Sequence, residues 1–150
     1  YEMVNHNEDW FKNEKFLFNR NYIPNYDLNY KNLLFNGNCF STSAMTVVKS
    51  KLQEVNGFNE NKSIVGIEDL DLWLRLIDSD IKVSFIKDTL GIYYLHNNNF
   101  SRSLLKRLKA ELIVISMHTL KFNLRNPSIL ILFIKRLLRL FLSIAKTIFN

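Results

Sequence analysis

Apolar residues recur at the helical interval over residues 69–78: Leu70, Trp73, Leu74 and Ile77 share one face, and Leu72 and Leu76 widen it. This pattern predicts an amphipathic helix from about Asp69 to Asp78. The period then changes to two, with Ile81, Val83 and Phe85 alternating with Lys82 and Ser84, and residues 90–95 are apolar and aromatic. Two strands joined near Asp88-Thr89 are expected there. Upstream, Asn36-Gly37-Asn38 is a turn signal. The Phe, Thr and Val mixture of residues 39–48 suits a strand leading into a short helix over Lys49 to Val55, which Asn56-Gly57 stops because glycine tolerates the left-handed cap position. Residues 1–32 show no sustained period, and Tyr22 to Asp27 carries turn chemistry, so a loop with short elements is expected. Beyond His96-Asn97-Asn98-Asn99, Ser101 can cap a helix running through Leu104 to about Lys121, and Pro127 sits where a terminal helix would begin.

In that terminal segment, at about 100° per residue, Lys135, Arg136, Arg139, Ser143 and Lys146 fall within an arc of roughly 100°. Thr147 lies at its margin, and the other faces are Leu, Ile, Phe or Ala. A spanning helix would not hold three cations near its centre, where each costs on the order of 3 kcal/mol. The segment reads as an amphipathic anchor lying in the plane of an anionic leaflet. Packing of the wide apolar face on the rest of the domain or on a second subunit is the alternative.

The 150 residues, 47% of them hydrophobic, are enough for one domain with a real core. A net charge of +6 directs attention to an anionic partner: phosphate-bearing substrate, acidic lipid or nucleic acid. Nucleic acid is disfavoured, because the cations gather on helices with wide apolar faces and no nucleic-acid module is recognisable. The single Cys39 excludes an internal disulfide framework and a cysteine-rich zinc site, and fits a buried, inert thiol in a reducing compartment. No leader is read at Tyr1, and the chain is expected to be part of a longer protein.

The candidate chemistry sits at the start of the acidic helix, where Glu68, Asp69 and Asp71 crowd together. Like charges this close raise one another's pKa, which brings a carboxylate nearer to general-base strength. Asp71 and Arg75, four apart, are expected to pair and hold the helix start. Trp73 could floor a sugar site, but it lies on the apolar stripe, which favours the core. A metal site of Glu68, Asp69, Asp71 and His96 is conceivable in ligand type, yet successive side chains on a helix diverge.

An ordered set of pieces runs from Asn38-Cys39-Phe40-Ser41-Thr42-Ser43, through residues 49–55 and Asn56-Gly57-Phe58-Asn59-Glu60, to Glu68-Asp69 with Leu70-Asp71-Leu72-Trp73-Leu74-Arg75. It ends in Leu90 to His96 and the polar run to Ser101. Over roughly residues 36–102 this set resembles the acceptor-side half of a family 2 glycosyltransferase of GT-A fold. The resemblance implies an α/β class, part of a Rossmann-like mixed sheet with flanking helices over residues 1–100; the helical extension over 101–150 is expected to associate with membrane from its own amphipathic pattern. It implies inverting transfer of a sugar from a nucleotide-sugar donor to a glycan or lipid-linked acceptor, on the cytoplasmic face of the membrane. Asp69 would be the catalytic base with Glu68 in reserve, and Asn38, Ser43 and Trp73 would be substrate-binding. His96 would stand near the donor pyrophosphate or its Mn²⁺ or Mg²⁺ ion, whose main ligands lie outside this chain. Asp69-Leu70-Asp71 spells Asp-x-Asp but follows a turn rather than a nucleotide-binding strand, so it is not assigned as the metal motif. Residues 1–35 carry no glycine-rich phosphate loop, and the Gln-x-x-Arg-Trp motif of processive relatives is absent. The isolated chain is therefore not expected to bind a sugar nucleotide. The competing expectation is a non-enzymatic membrane- or partner-binding module with basic amphipathic helices, in which each helix-start acid adds only about 0.3–1 kcal/mol.

Overall fold

A computed structural model describes residues 1–95 and 104–149. The chain folds as mixed α/β around a four-stranded sheet whose central strand is β1 (Met3–Lys12). β1 turns through Asn13 and Glu14, both at positive φ, into antiparallel β2 (Lys15–Arg20). Such a two-residue turn matches the twist of the strands it joins. β3 (Met45–Val47) lies antiparallel beside the start of β1, and β4 (Val83–Leu95) runs parallel to its whole length. The hairpin corrects the expectation of a loop over residues 1–32. Its alternation is hidden because the inward positions of β1 include Asn5, Asn7 and Glu8, all buried, where an apolar residue would have announced a strand.

The two strands expected over residues 81–95 form one. Its register against β1 slips twice, between Asn5 and Asn7 and between Asn7 and Glu8, so the break near Asp88-Thr89 is a bulge rather than a turn. Asn7 fills the first slip by donating its side-chain amide to the Lys87 carbonyl at 2.7 Å. At the second, Gly91 lies against Glu8. A Cβ there would stand 2.9 Å from His6 Cε1 and 3.4 Å from Glu8 Cγ, so the glycine leaves room first for the His6 ring and then for the Glu8 side chain.

Among the described residues five helices accompany the sheet. α1 (Tyr30–Asn36) is capped by Asn29, whose side chain accepts the Asn32 N–H at 2.8 Å. A 3₁₀ turn (Thr42–Ala44) precedes β3, and α2 (Lys49–Glu54) follows it. α3 (Glu68–Asp78) buries Leu70, Leu72, Trp73, Leu74 and Leu76, so it is enclosed on nearly every side and not on a single stripe. Each such side chain contributes about 1.5–3 kcal/mol. α4 (Leu104–Thr119) adds Ala110, Val114 and Ile115 to the same core.

α5 (Pro127–Phe149) packs on α1 and α4 through Ile129, Arg136 and Leu140. Part of the basic arc thus turns inward. Arg136, 8% exposed, pairs with buried Glu111 of α4, and Arg139 donates to the Phe35 carbonyl at the end of α1 at 3.0 Å. Leu130, Ile131, Ile134, Leu138, Phe141 and Leu142 face outward instead. Among the described residues no helix is long and apolar enough to cross a membrane.

α3 is tied to its surroundings by Asp71, 2% exposed. Arg75, one turn on, meets it at 2.8 Å, as the spacing predicts. His118 of α4 donates its Nε2–H to it at 2.9 Å, while Nδ1 lies 2.8 Å from the Tyr30 hydroxyl of α1. Arg75 also donates to the carbonyls of Val55 and Gly57, the latter at 2.8 Å. One carboxylate therefore fastens α1, α3, α4 and the Asn56-Gly57 turn. Burial works against its charge, but the His118 hydrogen bond and Arg75 outweigh it and hold its pKa below the usual carboxylate range. A depressed carboxylate pKa adds stability above its unfolded-state value, and that stability is lost as pH falls through the folded-state value. Asp71→Ala is expected to cost about 3 kcal/mol at neutral pH, the scale for orphaning a buried charge partner. In urea denaturation the gap from the wild type should narrow below pH 4, and a gap independent of pH would contradict the ion-pair account.

Candidate functional site

Asp69 is one residue earlier on α3 than Leu70 and two earlier than Asp71, so it points away from the ion pair. Its side chain is half-buried and faces the connection between α1 and β3. The Asn38 amide and the Thr42 hydroxyl each donate to Oδ2 at 3.3 Å, and the Leu70 N–H reaches Oδ1 at 2.7 Å. Burial pushes the Asp69 carboxyl up; the Leu70 and Thr42 bonds pull it back, Glu68 adds to the rise and Arg107 of α4 opposes it. Charge crowding is therefore the smaller reason for a strengthened base and burial the larger. Asp71, expected to share in the crowding, moves the other way.

Glu68 accepts the Gly66 N–H and so closes the turn that starts α3. Thr42 is held in place from below. Ser41 and Ser43, which bracket it, donate to Glu8 at 2.8 and 2.7 Å, and Tyr22 donates to the same carboxylate at 2.7 Å. Glu8 is 1% exposed, a burial that three hydroxyl donors offset. The Ser41 N–H adds a bond to Asn5 Oδ1 at 3.1 Å. The 3₁₀ turn is thus pinned to β1 on both sides of the residue that touches Asp69.

Of the residues named from sequence, Asn38, Glu68 and Asp69 meet at the mouth of this arrangement. Ser43 stands behind it, on Glu8. Trp73 goes into the core, 2% exposed and edge-on to Phe40 at 5.9 Å, with no ring face open to a sugar. His96 lies outside the described residues. The two carboxylates of Asp69-Leu70-Asp71 diverge, one to Thr42 and Asn38, the other to Arg75 and His118. Among the described residues no group of three His, Cys, Asp or Glu gathers to hold a metal ion. Sequence reasoning missed Glu8, Tyr22, Thr42 and His118. The one available signal was a carboxylate among Asn5, Asn7 and Trp10, in a stretch that reads as a loop.

Thr42→Val removes a bond that lowers the Asp69 pKa, so that pKa should rise further. Carboxyl ¹³C titration of the variant checks this, and an unmoved or lower Asp69 pKa would refute the contact.

A family model described as the N-terminal domain of galactosyltransferase matches residues 24–99, a span that includes Asn38, Thr42, Glu68, Asp69 and Arg75. No curated protein and no solved structure matches the chain.

Proposed function

The chain belongs to the galactosyltransferase family whose model covers residues 24–99, and from that premise we propose that it forms the acceptor side of an inverting glycosyltransferase in which Asp69 is the base. Sugar transfer is the general activity of that family, with a nucleotide-sugar donor and an acceptor as its partners. The observation that carries the finer reading is the placement of Asp69: half-buried, strengthened as a base by burial, and held in place by the Thr42 and Leu70 donors. An acceptor hydroxyl gives its proton to this carboxylate as its oxygen attacks the anomeric carbon. The bond to the nucleoside diphosphate breaks on the opposite face, and the configuration inverts. The hydroxyl becomes acidic only as the new bond forms, so a positioned weak base suffices. The order of the family 2 pieces along the chain supports this finer assignment. A divalent ion on the donor diphosphate belongs to the same proposal, with ligands outside the described residues.

Asp69→Asn in the complete enzyme is expected to lower kcat by on the order of 10²–10⁴-fold, the usual range for a general base. A nucleotide-galactose donor is the first to assay, given the family. The raised pKa fixes the sign for stability: the folded state prefers protonated Asp69, so ionisation costs stability as pH rises from the unfolded-state value through the folded one. Tm at neutral pH should therefore hold or rise in the variant while turnover is lost, and turnover retained by a folded variant would end the assignment.

We further place the protein at the cytoplasmic membrane surface, meeting a glycan or lipid-linked acceptor there. The support is the outward apolar face of α5, flanked by exposed Lys135 and Arg139. This face also favours a second reading, a non-enzymatic module that binds membrane or a partner, for which Asp69→Asn would change nothing. Leu138→Glu, at an exposed position, should lower sedimentation with phosphatidylglycerol vesicles several-fold without lowering Tm; unchanged sedimentation would remove the membrane claim.

A further inference from the structure

We propose that the cleft between the chain leading into α1 and the chain leaving it binds one pyranose ring of the acceptor, an inference that rests on the reading of Asp69 as the base. The cleft has a volume of about 220 Å³ and is walled by residues 20–26 on one side and 36–39 on the other. That is below the roughly 300–1,000 Å³ of sites for drug-sized ligands, and suits a single ring.

Its chemistry is that of a polyhydroxy ligand. Four amides line it, from Asn21, Asn25, Asn36 and Asn38, together with the rings of Tyr22 and Tyr26. An amide presents a donor pair beside an acceptor, the complement of neighbouring hydroxyls that both give and take. Asn21 and Asn38 are oriented by their own chain, accepting the Ile23 and Phe40 N–H groups at 3.0 Å each. Asn25 and Asn36 are exposed at the opening, and among the described residues their side chains have no hydrogen-bond partner.

The walls are built before any ligand arrives. The Tyr26 hydroxyl crosses to the Gly37 carbonyl at 3.1 Å, Tyr22 is anchored on Glu8, and Gly37 rests on the Arg136 guanidinium, where an added Cβ would lie 3.4 Å from Nη1. Such preorganisation reduces the entropy lost on binding. Asn38 lines the cleft and donates to Asp69, so a hydroxyl at that end is one amide away from the base. A phosphate fits less well. The one cation on the wall, Arg20, is exposed and held over the Tyr22 ring at 5.7 Å, and the carboxylates of Glu8 and Asp69 stand behind the wall.

Saturation-transfer NMR on the full chain, without donor, tests this with the methyl glycosides of galactose, glucose and N-acetylglucosamine and with inorganic phosphate as competitor. Saturable binding of at least one glycoside is expected, unaffected by phosphate and retained by Asp69→Asn. The double variant Asn25→Ala/Asn36→Ala should bind about tenfold more weakly, the equivalent of one or two lost hydrogen bonds, and should raise acceptor KM with kcat near the wild type. Equal binding by double variant and wild type, no glycoside binding, or displacement by phosphate would each overturn the proposal. Failure of the base assignment has another signature: turnover by Asp69→Asn with glycoside binding intact.

Discussion

The buried charge of Asp71 is the constraint on which the rest of the structure depends. An isolated carboxylate in an apolar core would cost several kcal/mol, so its partners must come from wherever the chain can deliver them. Arg75 arrives from the next turn of the same helix, His118 from α4, and Tyr30 from α1 behind the imidazole. Because Arg75 also holds the carbonyls of Val55 and Gly57, the turn that ends α2 is fixed relative to the helix that begins at Glu68. On a helix, residues two apart lie about 200° apart around the axis, so locking Asp71 inward directs Asp69 to the opposite side. The ion pair is structural, and its consequence is the direction in which Asp69 points.

Three acids in this domain illustrate how environment divides the work of one functional group. Asp71 is charge-paired and its pKa is depressed. Glu8 meets no cation among the described residues and is held by hydroxyls of Tyr22, Ser41 and Ser43. Asp69 has weaker contacts, at 3.3 Å, and keeps part of its surface open. Fully satisfied buried polar groups rigidify what they touch, whereas an under-satisfied, half-open carboxylate is the one with capacity left for a proton. Glu8 and Asp71 immobilise the two walls between which Asp69 is presented, one through the 3₁₀ turn and one through α3.

How much of this was legible in the sequence follows from which signals are local. α3 and its Asp71–Arg75 pair were readable because both depend on a fixed spacing along one helix, as were the starts of α2 and α5. β1 was not, because hydrophobic alternation is the usual mark of a strand and here the inward positions are Asn5, Asn7 and Glu8, made tolerable by partners 14 to 80 residues away. The same holds at the site. Asp69 could be picked out beside its neighbours, while Thr42, Glu8 and His118 gain their roles through contacts between distant segments. The cause of the Asp69 shift was misjudged for a related reason: adjacency of charges is visible in a sequence and burial is not.

α5 carries this argument furthest. Its periodicity defines a polar arc and a wide apolar face, and the usual inference sends the arc to solvent and the apolar face to the core. Here Arg136 and Arg139 serve acceptors within the fold, Glu111 and the Phe35 carbonyl near the end of α1, and much of the apolar face is left outside. A helix C-terminus ends in unsatisfied carbonyls and the negative end of its dipole, so cations delivered there by a neighbouring helix are favourable even at the cost of partial burial. Burial indeed lowers the Arg136 pKa, with Glu111 opposing the shift. The arrangement links α5 to the cleft, because Arg136 also supports Gly37, whose carbonyl receives Tyr26 across the opening.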